Sequence, residues 1–517
     1  MACFNVVGNT PFAYPTILFG HNDRIGWGAT AGVGDGVDIF AEQLHPTNAK
    51  RYRYKNAWRT MQTRVDRIRV KGQAQPLRLE VSRTVHGIVV QTDAQAHVAY
   101  AKARAWHGKE LQSLMAWTRS TQATNWSQWQ SRAQQHALTI NWHYADRDGN
   151  IGYYHTGAYP ARTAGHDPRL PVPGTGEWDW KGNLPTSTNP HVYNPAQSYI
   201  ANWNNSPQAN YPATDHSSIL WGSADRVDEI TQRLEAKPTL SADDVWNLVQ
   251  ETSSVDLNAR LFLPLMREAA QRLPVSSPVH AMMALLQDWD GHNRVATNGL
   301  ESTTPGSLIV GAWLHAMLQD TLLPLIPEPY RARYAGAGYW SDGGARNPAS
   351  VNFPSGVKVL YEALLGTKAG VTQTVDALGG RDPRDVAAKA LQQAYQTLVD
   401  KHGSGLSSWR TPMVDVTFSD KNFFGVPQAL PSEAISRPFA NRGTENNLLV
   451  FNAAGVQDWD AVAPGQSGFI DSKGQPSPHA LDQLDMYLSY GKKSMHFLAQ
   501  DVQSHQQSVT QLKVIAP

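Results

Sequence analysis

A single cysteine, Cys3, stands in 517 residues. One thiol excludes an intrachain disulfide and any cysteine-based zinc site. A chain this long can bury a large core without covalent staples. Charge is scarce and balanced: 17% of residues are Asp, Glu, Lys or Arg, and the formal net charge is +1. No long-range field of one sign is expected, so neither nucleic acid nor a membrane is an expected partner. Long apolar runs are scarce too. The longest, Ser307–Pro327, is interrupted by His315, Gln319 and Asp320, and reads as a buried helix ended by proline rather than a span. The opening residues show neither a Lys/Arg-led start nor the apolar stretch of a secretory signal. The phosphate-binding loop G-x-x-x-x-G-K-[ST], the metalloprotease H-E-x-x-H and the serine elbow G-x-S-x-G are all absent. The eighteen histidines are scattered without metal-ligand spacing.

What is present orders itself along the chain. Up to about residue 220, short β-branched and aromatic runs alternate with turn residues, as in "RYRYKNAWRTM" and "HGIVVQTDAQAHVAYAKARAW", which predicts strands. Helices are expected near Lys109–Ser120 and Asn125–His136. "LTINWHYADRDGNIGYYHTGAY" predicts a hairpin turning at Asp148-Gly149-Asn150. Asp146, Asp148 and Asn150 share the opening spacing of an EF-hand loop, but no glutamate follows at the required distance and strands flank the segment. From 221 to 405 the period becomes helical, with Ser241 placed to cap "ADDVWNLVQET" and Gly403 placed to end a long helix. From 406 to 517 strands return in "VDVTFSD", "NNLLVFN" and "GFIDSKG", and a last helix is expected near Ala480–Tyr490. The order predicts one α+β unit over 1–517, with helices covering sheets.

Two features invite chemistry. In "GVGDGVDIF", Asp35 and Asp38 lie three apart in a glycine-rich turn. Two carboxylates with backbone carbonyls between them suit a hard cation such as Ca²⁺, and equally suit a solvated turn. Cys3 near the amino terminus raises the question of an N-terminal nucleophile. Such a nucleophile uses the α-amine of its own residue as base. Removal of Met1 would expose Ala2, so Cys3 reads as a small hydrophobe.

Several longer stretches carry a resemblance: "GNTPFAYPTILFGHN", "GWGATAGVGDGVDIFAE", "ALTINWHYADRDGNIGYYHTGAYP", "GHDPRLPVPGTGEWDWKG", "YIANWNNSPQ", "FFGVPQA", "NRGTEN" and "APGQSGF". Together, and in order, they resemble the β chain of the penicillin acylases, a family of N-terminal nucleophile hydrolases. The resemblance implies a four-layer αββα sandwich, made from a periplasmic precursor that cuts itself into α and β chains. It implies hydrolysis of the side-chain amide of penicillins and related arylacetyl amides by an N-terminal serine. Set against that family, the chain is expected to be a β chain shortened at its front, without the serine and the α chain, and inactive alone.

By the same resemblance, the oxyanion hole would use the backbone N–H of Ala31 and the side-chain amide of Asn204, with Arg226 supporting the nucleophile's surroundings. Unaided, Asn204 reads as a turn residue and Arg226 as a surface charge. A structural Ca²⁺ would be held by Asp35, Val37 (carbonyl), Asp38, Pro168 (carbonyl) and Asp215. The acyl pocket would be lined by Phe19, Ala29, Val33, Trp117 and Ile140. Ala29 and Val33 depart from the serine and aromatic familiar there. Two other readings stand beside this one: a non-catalytic remnant binding calcium or aryl acids, and a cephalosporin or acyl-homoserine-lactone acylase.

Overall fold

The computed structural model describes residues 4–10, 16–70, 72–208, 211, 226–296, 301–334, 356–365, 375–412, 415–418, 435–438, 445–453, 455–465, 477–479, 481–506 and 509. Cys3, Asp215 and "GFIDSKG" lie outside them.

Strands dominate the first two hundred residues: β1 (Val7–Asn9), β2 (Phe19–His21), β3 (Ile25–Ala31), β4 (Val37–His45), β5 (Asn48–Tyr54), β6 (Ala57–Thr60), β7 (Gln62–Ile68), β8 (Leu77–Arg83), β9 (Ile88–Asp93), β10 (Val98–Arg104), β11 (Ile140–Asp146), β12 (Ile151–His155), β13 (Val172–Pro173) and β14 (His191–Tyr193). They build two sheets. One has the order β1-β2-β3-β11-β12-β14; the other runs β6-β5-β4-β10-β9-β8-β7, with β13 paired to β4. The chain passes from the first sheet to the second through the short loop between β3 and β4.

The pairing of β3 with β11 decides what each face of the first sheet carries. Ala29 lies opposite Trp142 and Ala31 opposite Ile140, while Thr30 lies opposite Asn141 and Gly28 opposite His143. Side chains alternate across a strand, so one face is apolar and the other polar. On the apolar face sit α1 (Glu110–Ser120) and α2 (Trp126–Ala133), which contribute Trp117 and Trp129 to a core with Ile25, Trp27, Trp142 and Tyr154. Asn125 caps α2 by accepting from the Gln128 N–H at 3.0 Å. The β11–β12 hairpin forms as expected: the Asp146 carboxylate accepts from the backbone N–H groups of Asp148 and Asn150, both at 3.0 Å. The EF-hand-like spacing is a turn closing on its own carboxylate.

The helical middle has its own core. Helices Leu257–Ala270, Gly306–Asp320 and Pro383–His402 pack together, burying Phe262, Trp313, Leu314 and Leu391. The stretch Gly306–Leu325 is long and apolar enough to cross a membrane, yet Ile309, Trp313 and Met317 are fully enclosed by the neighbouring helices. Ser241 caps its helix through a reciprocal capping box with Asp244. Gly403, at φ 81°, ends the long helix as expected.

The C-terminal part departs from the expectation. The last expected helix is confined to Leu484–Leu488, and a second follows at Ala499–His505. The start is set from outside the helix: Gln483 accepts the Val462 N–H on its side chain and donates its own N–H to the Pro464 carbonyl. Tyr490, at φ 60°, marks the end.

A buried ion cluster ties the second sheet to its covering loop. His86 stacks on Phe40 at 4.0 Å and bridges Glu42 (2.8 Å) and Asp179 (3.0 Å). Burial pushes the imidazole pKa down, but hydrogen bonds and charges from the two carboxylates outweigh it and leave the value above the usual 6.5. A raised basic pKa contributes stability that is complete below the unfolded value and lost as pH rises through the folded one. Thermal melts between roughly pH 6 and 9 should therefore show a decline in Tm with rising pH that His86→Gln flattens. An unchanged slope in the variant would contradict the assignment.

Candidate active site

The end of β3, the loop after it and the "ANWNN" turn meet at one place. Asn204 Nδ2 donates to the Ala31 carbonyl at 3.0 Å. The other end of the same amide, Oδ1, accepts from Arg226 Nη2 at 2.7 Å. A guanidinium only donates, so this contact fixes which way the Asn204 amide faces: its NH₂ group points at the end of β3. Arg226 also donates from Nε to the Trp203 carbonyl at 3.1 Å and lies 4.7 Å from the centre of the Trp203 ring. It is 7% exposed; the unaided reading of Arg226 as a surface charge is overturned, because it is folded back over its own turn. Asn204 holds φ 63°, a left-handed conformation that asparagine adopts more readily than most residues. Its own N–H donates to Asn202 Oδ1 at 3.0 Å.

Beneath this contact lies a network the sequence did not announce. Asn141, fully buried, donates from Nδ2 to the Ala31 carbonyl and to Thr30 Oγ1, each at 3.1 Å. Its Oδ1 receives the Tyr153 hydroxyl at 2.7 Å and lies 2.8 Å from His155 Nδ1. A backbone carbonyl only accepts, so the Asn141 amide is oriented, and its oxygen then requires a proton on His155 Nδ1. His155 Nε2 is left to accept from the Tyr159 hydroxyl at 2.7 Å. Burial lowers the His155 pKa to about 4, so the ring is neutral at pH 7. Tyr159 also meets Thr139 Oγ1 at 3.1 Å, which receives the Gly34 N–H at 2.8 Å. A Cβ at Gly34 would stand 2.3 Å from the Tyr159 oxygen, so only glycine permits the loop to lie this close. The available signal was "TINWHY": Asn141 is a polar residue on the face opposite Ile140 and Trp142.

The expected pocket residues gather on the apolar face. Phe19, Ala29 and Ile140 pack against the core that contains Trp117. Val33 sits in the loop at φ 52°. Trp117 meets Trp142 edge to face at 4.6 Å. These rings form a rigid apolar wall backing the polar contact at Ala31.

The two aspartates are neither a solvated turn nor an open oxygen cage. Asp35 is 7% and Asp38 2% exposed. Arg162 Nη2 lies 2.6 Å from Asp35 Oδ1 and 3.1 Å from Asp38 Oδ1, and its Nε lies 2.9 Å from Asp38 Oδ2. Trp180 Nε1 donates to the same Asp38 oxygen at 2.6 Å. Burial lowers the Arg162 pKa, but contacts with Asp38 and Asp35 raise it more. Val37 opens β4, and Pro168 lies in the turn Asp167–Arg169. Among the described residues no group of three or more His, Cys, Asp or Glu side chains could hold a metal ion. Ca²⁺ takes roughly six to eight oxygen ligands. As arranged, the pair is held by a guanidinium, and the expected set of Asp35, Val37, Asp38, Pro168 and Asp215 is not complete among the described residues.

With this geometry in view, comparison with known proteins is decisive on the family. The family model for penicillin amidase matches residues 1–504. The chain belongs to the penicillin amidase family. Penicillin G acylase of Escherichia coli is 49% identical over 521 aligned residues, covering 99% of this chain and 61% of that protein. This chain thus spans about three-fifths of that relative's length. An acyl-homoserine lactone acylase, QuiP, of Pseudomonas fluorescens is 30% identical over 207 residues, covering 39% of this chain and 25% of its own length. Among solved structures, a thermostable penicillin G acylase from Alcaligenes faecalis superposes with a TM-score of 0.91 at 40% identity, covering 99% of this chain and 92% of that one. The expected α+β fold of the N-terminal nucleophile hydrolases is borne out, and so is the resemblance to the penicillin amidase family.

Proposed function

We propose that this chain is the oxyanion- and pocket-bearing β portion of a penicillin-acylase-type amidohydrolase acting on arylacetyl amides. The observation that carries the reading is the Asn204 amide, turned by Arg226 toward the end of β3. In this reading the precursor supplies an N-terminal serine, activated by its own α-amine, together with an α chain. The serine attacks the amide carbonyl. The Ala31 N–H and an Asn204 Nδ2–H receive the developing negative oxygen, where each donor is worth roughly 3 kcal/mol. Phe19, Ala29, Val33, Trp117 and Ile140 would enclose the aryl group, leaving the amide at the mouth. Water then releases the arylacetic acid.

A chromogenic phenylacetyl anilide tests this. The purified 517-residue chain should give no turnover above background, whereas the processed precursor containing it should turn over readily. Turnover by the chain alone would refute the external serine. An inert, fully processed precursor would refute the amidase reading itself.

A second reading is favoured by the acyl-homoserine lactone acylase among the relatives and by the small side chains of Ala29 and Val33. It keeps the oxyanion site and changes the slot. The ratio of kcat/KM for aryl and long aliphatic amides separates the two.

A further inference from the structure

The net charge of +1 conceals a segregation. Between Asn48 and Arg83 there are eleven Lys or Arg residues and only Asp66 and Glu80 as acids. That local +9 sits in a chain whose remainder carries −8. The segment is one continuous surface: β5–β6 and β7–β8 are hairpins joined through Met61 alone, and the Lys50 ammonium pairs across them with Glu80.

Two independent features mark the β7–β8 hairpin. First, Arg67 lies directly opposite Arg78, both exposed. Like charges directly opposite on neighbouring strands repel. Arg78 reaches Glu80 only at 3.4 Å, and Arg67 and Arg69 have no acidic partner among the described residues. Secondly, the alternate face is aliphatic and uncovered at the loop end of the hairpin, while farther along it Asp66, opposite Leu79, is paired with Arg64. Ile68 lies opposite Leu77, and Ile68, Leu77 and Leu79 are 42%, 53% and 44% exposed. At this loop end the ribbon carries Arg67 and Arg78 on one face and bare aliphatic side chains on the other, an arrangement that suits a headgroup boundary, where phosphates and acyl chains are both within reach.

We propose that the β7–β8 hairpin docks this protein onto an anionic lipid surface, with Arg67, Arg69 and Arg78 at lipid phosphates and Ile68, Leu77 and Leu79 against acyl chains. Charge complementarity selects the sign of the surface. The exposed aliphatic face selects a bilayer over a soluble polyanion, which would offer those side chains nothing. The inference is independent of the amidase reading.

Co-sedimentation of the full chain with vesicles tests it. Binding should appear with vesicles containing phosphatidylglycerol, be absent with phosphatidylcholine alone, and fall with added salt. Each arginine neutralised should weaken partitioning about fivefold, so Arg67→Gln with Arg78→Gln should lose about twenty-five-fold. Arg67→Lys with Arg78→Lys, which keeps charge on the same exposed sites, should retain binding and serves as the folding control. Leu77→Ser with Leu79→Ser should weaken binding that remains at high salt. No association with phosphatidylglycerol vesicles would overturn the proposal. So would association that the glutamine pair leaves intact, or retention by heparin without binding to vesicles.

Discussion

Asn204→Ala in the processed enzyme should lower kcat roughly a hundred- to a thousandfold while leaving KM little changed. An oxyanion donor acts on charge that exists only in the transition state, so its loss falls on kcat. Alanine at φ 63° also strains the backbone, and a second substitution separates the two effects. Asn204→Gly accepts that conformation without strain, so it should be as inactive as alanine but nearly as stable as the parent. Arg226→Lys should reproduce part of the loss. A lysine keeps the charge but cannot hold Asn204 Oδ1 and the Trp203 carbonyl with one planar fork. A glycine variant with parental kcat would remove Asn204 from the reaction.

Asn141→Ala should destabilise the fold by roughly 3–5 kcal/mol, read from urea denaturation of the chain. The side chain has no exposure and holds Ala31, Thr30, Tyr153 and His155 at once. Truncation leaves a hydroxyl and an imidazole N–H buried without their acceptor, and each such group costs about 1–3 kcal/mol. Asn141→Asp probes orientation separately. A carboxylate only accepts, so it loses the donation to the Ala31 carbonyl while keeping the contacts to Tyr153 and His155. A loss near 1 kcal/mol on truncation would show that the network is decoration rather than a support.

Much of this was legible from residue pattern. The β11–β12 hairpin, the Ser241 cap and the helix ending at Gly403 follow from local chemistry that needs no distant partner. Ala29 and Ile140 share a face because period-two alternation commits them to it; Trp117 reaches that face from α1, which no strand pattern announces. What was not legible depends on contacts across the fold. Arg226 looked like a surface charge because nothing nearby in sequence reveals that its guanidinium folds back over Trp203. Asp35 and Asp38 suggested a cation, but the cation that meets them is Arg162, more than a hundred residues later. The balanced net charge was a sum, and a sum does not report where charges of one sign collect.

The loop from Gly32 to Gly36 is a five-residue covalent link between β3 in one sheet and β4 in the other, and it is clamped at both ends. Asn141 grips the Ala31 carbonyl before it; Arg162 grips Asp35 and Asp38 at its far side. A sliding of one layer over the other would thus be felt first at Ala31, with little slack to absorb it. The second layer, remote from any reacting atom, acts as a brace whose alignment sets the aim of the first.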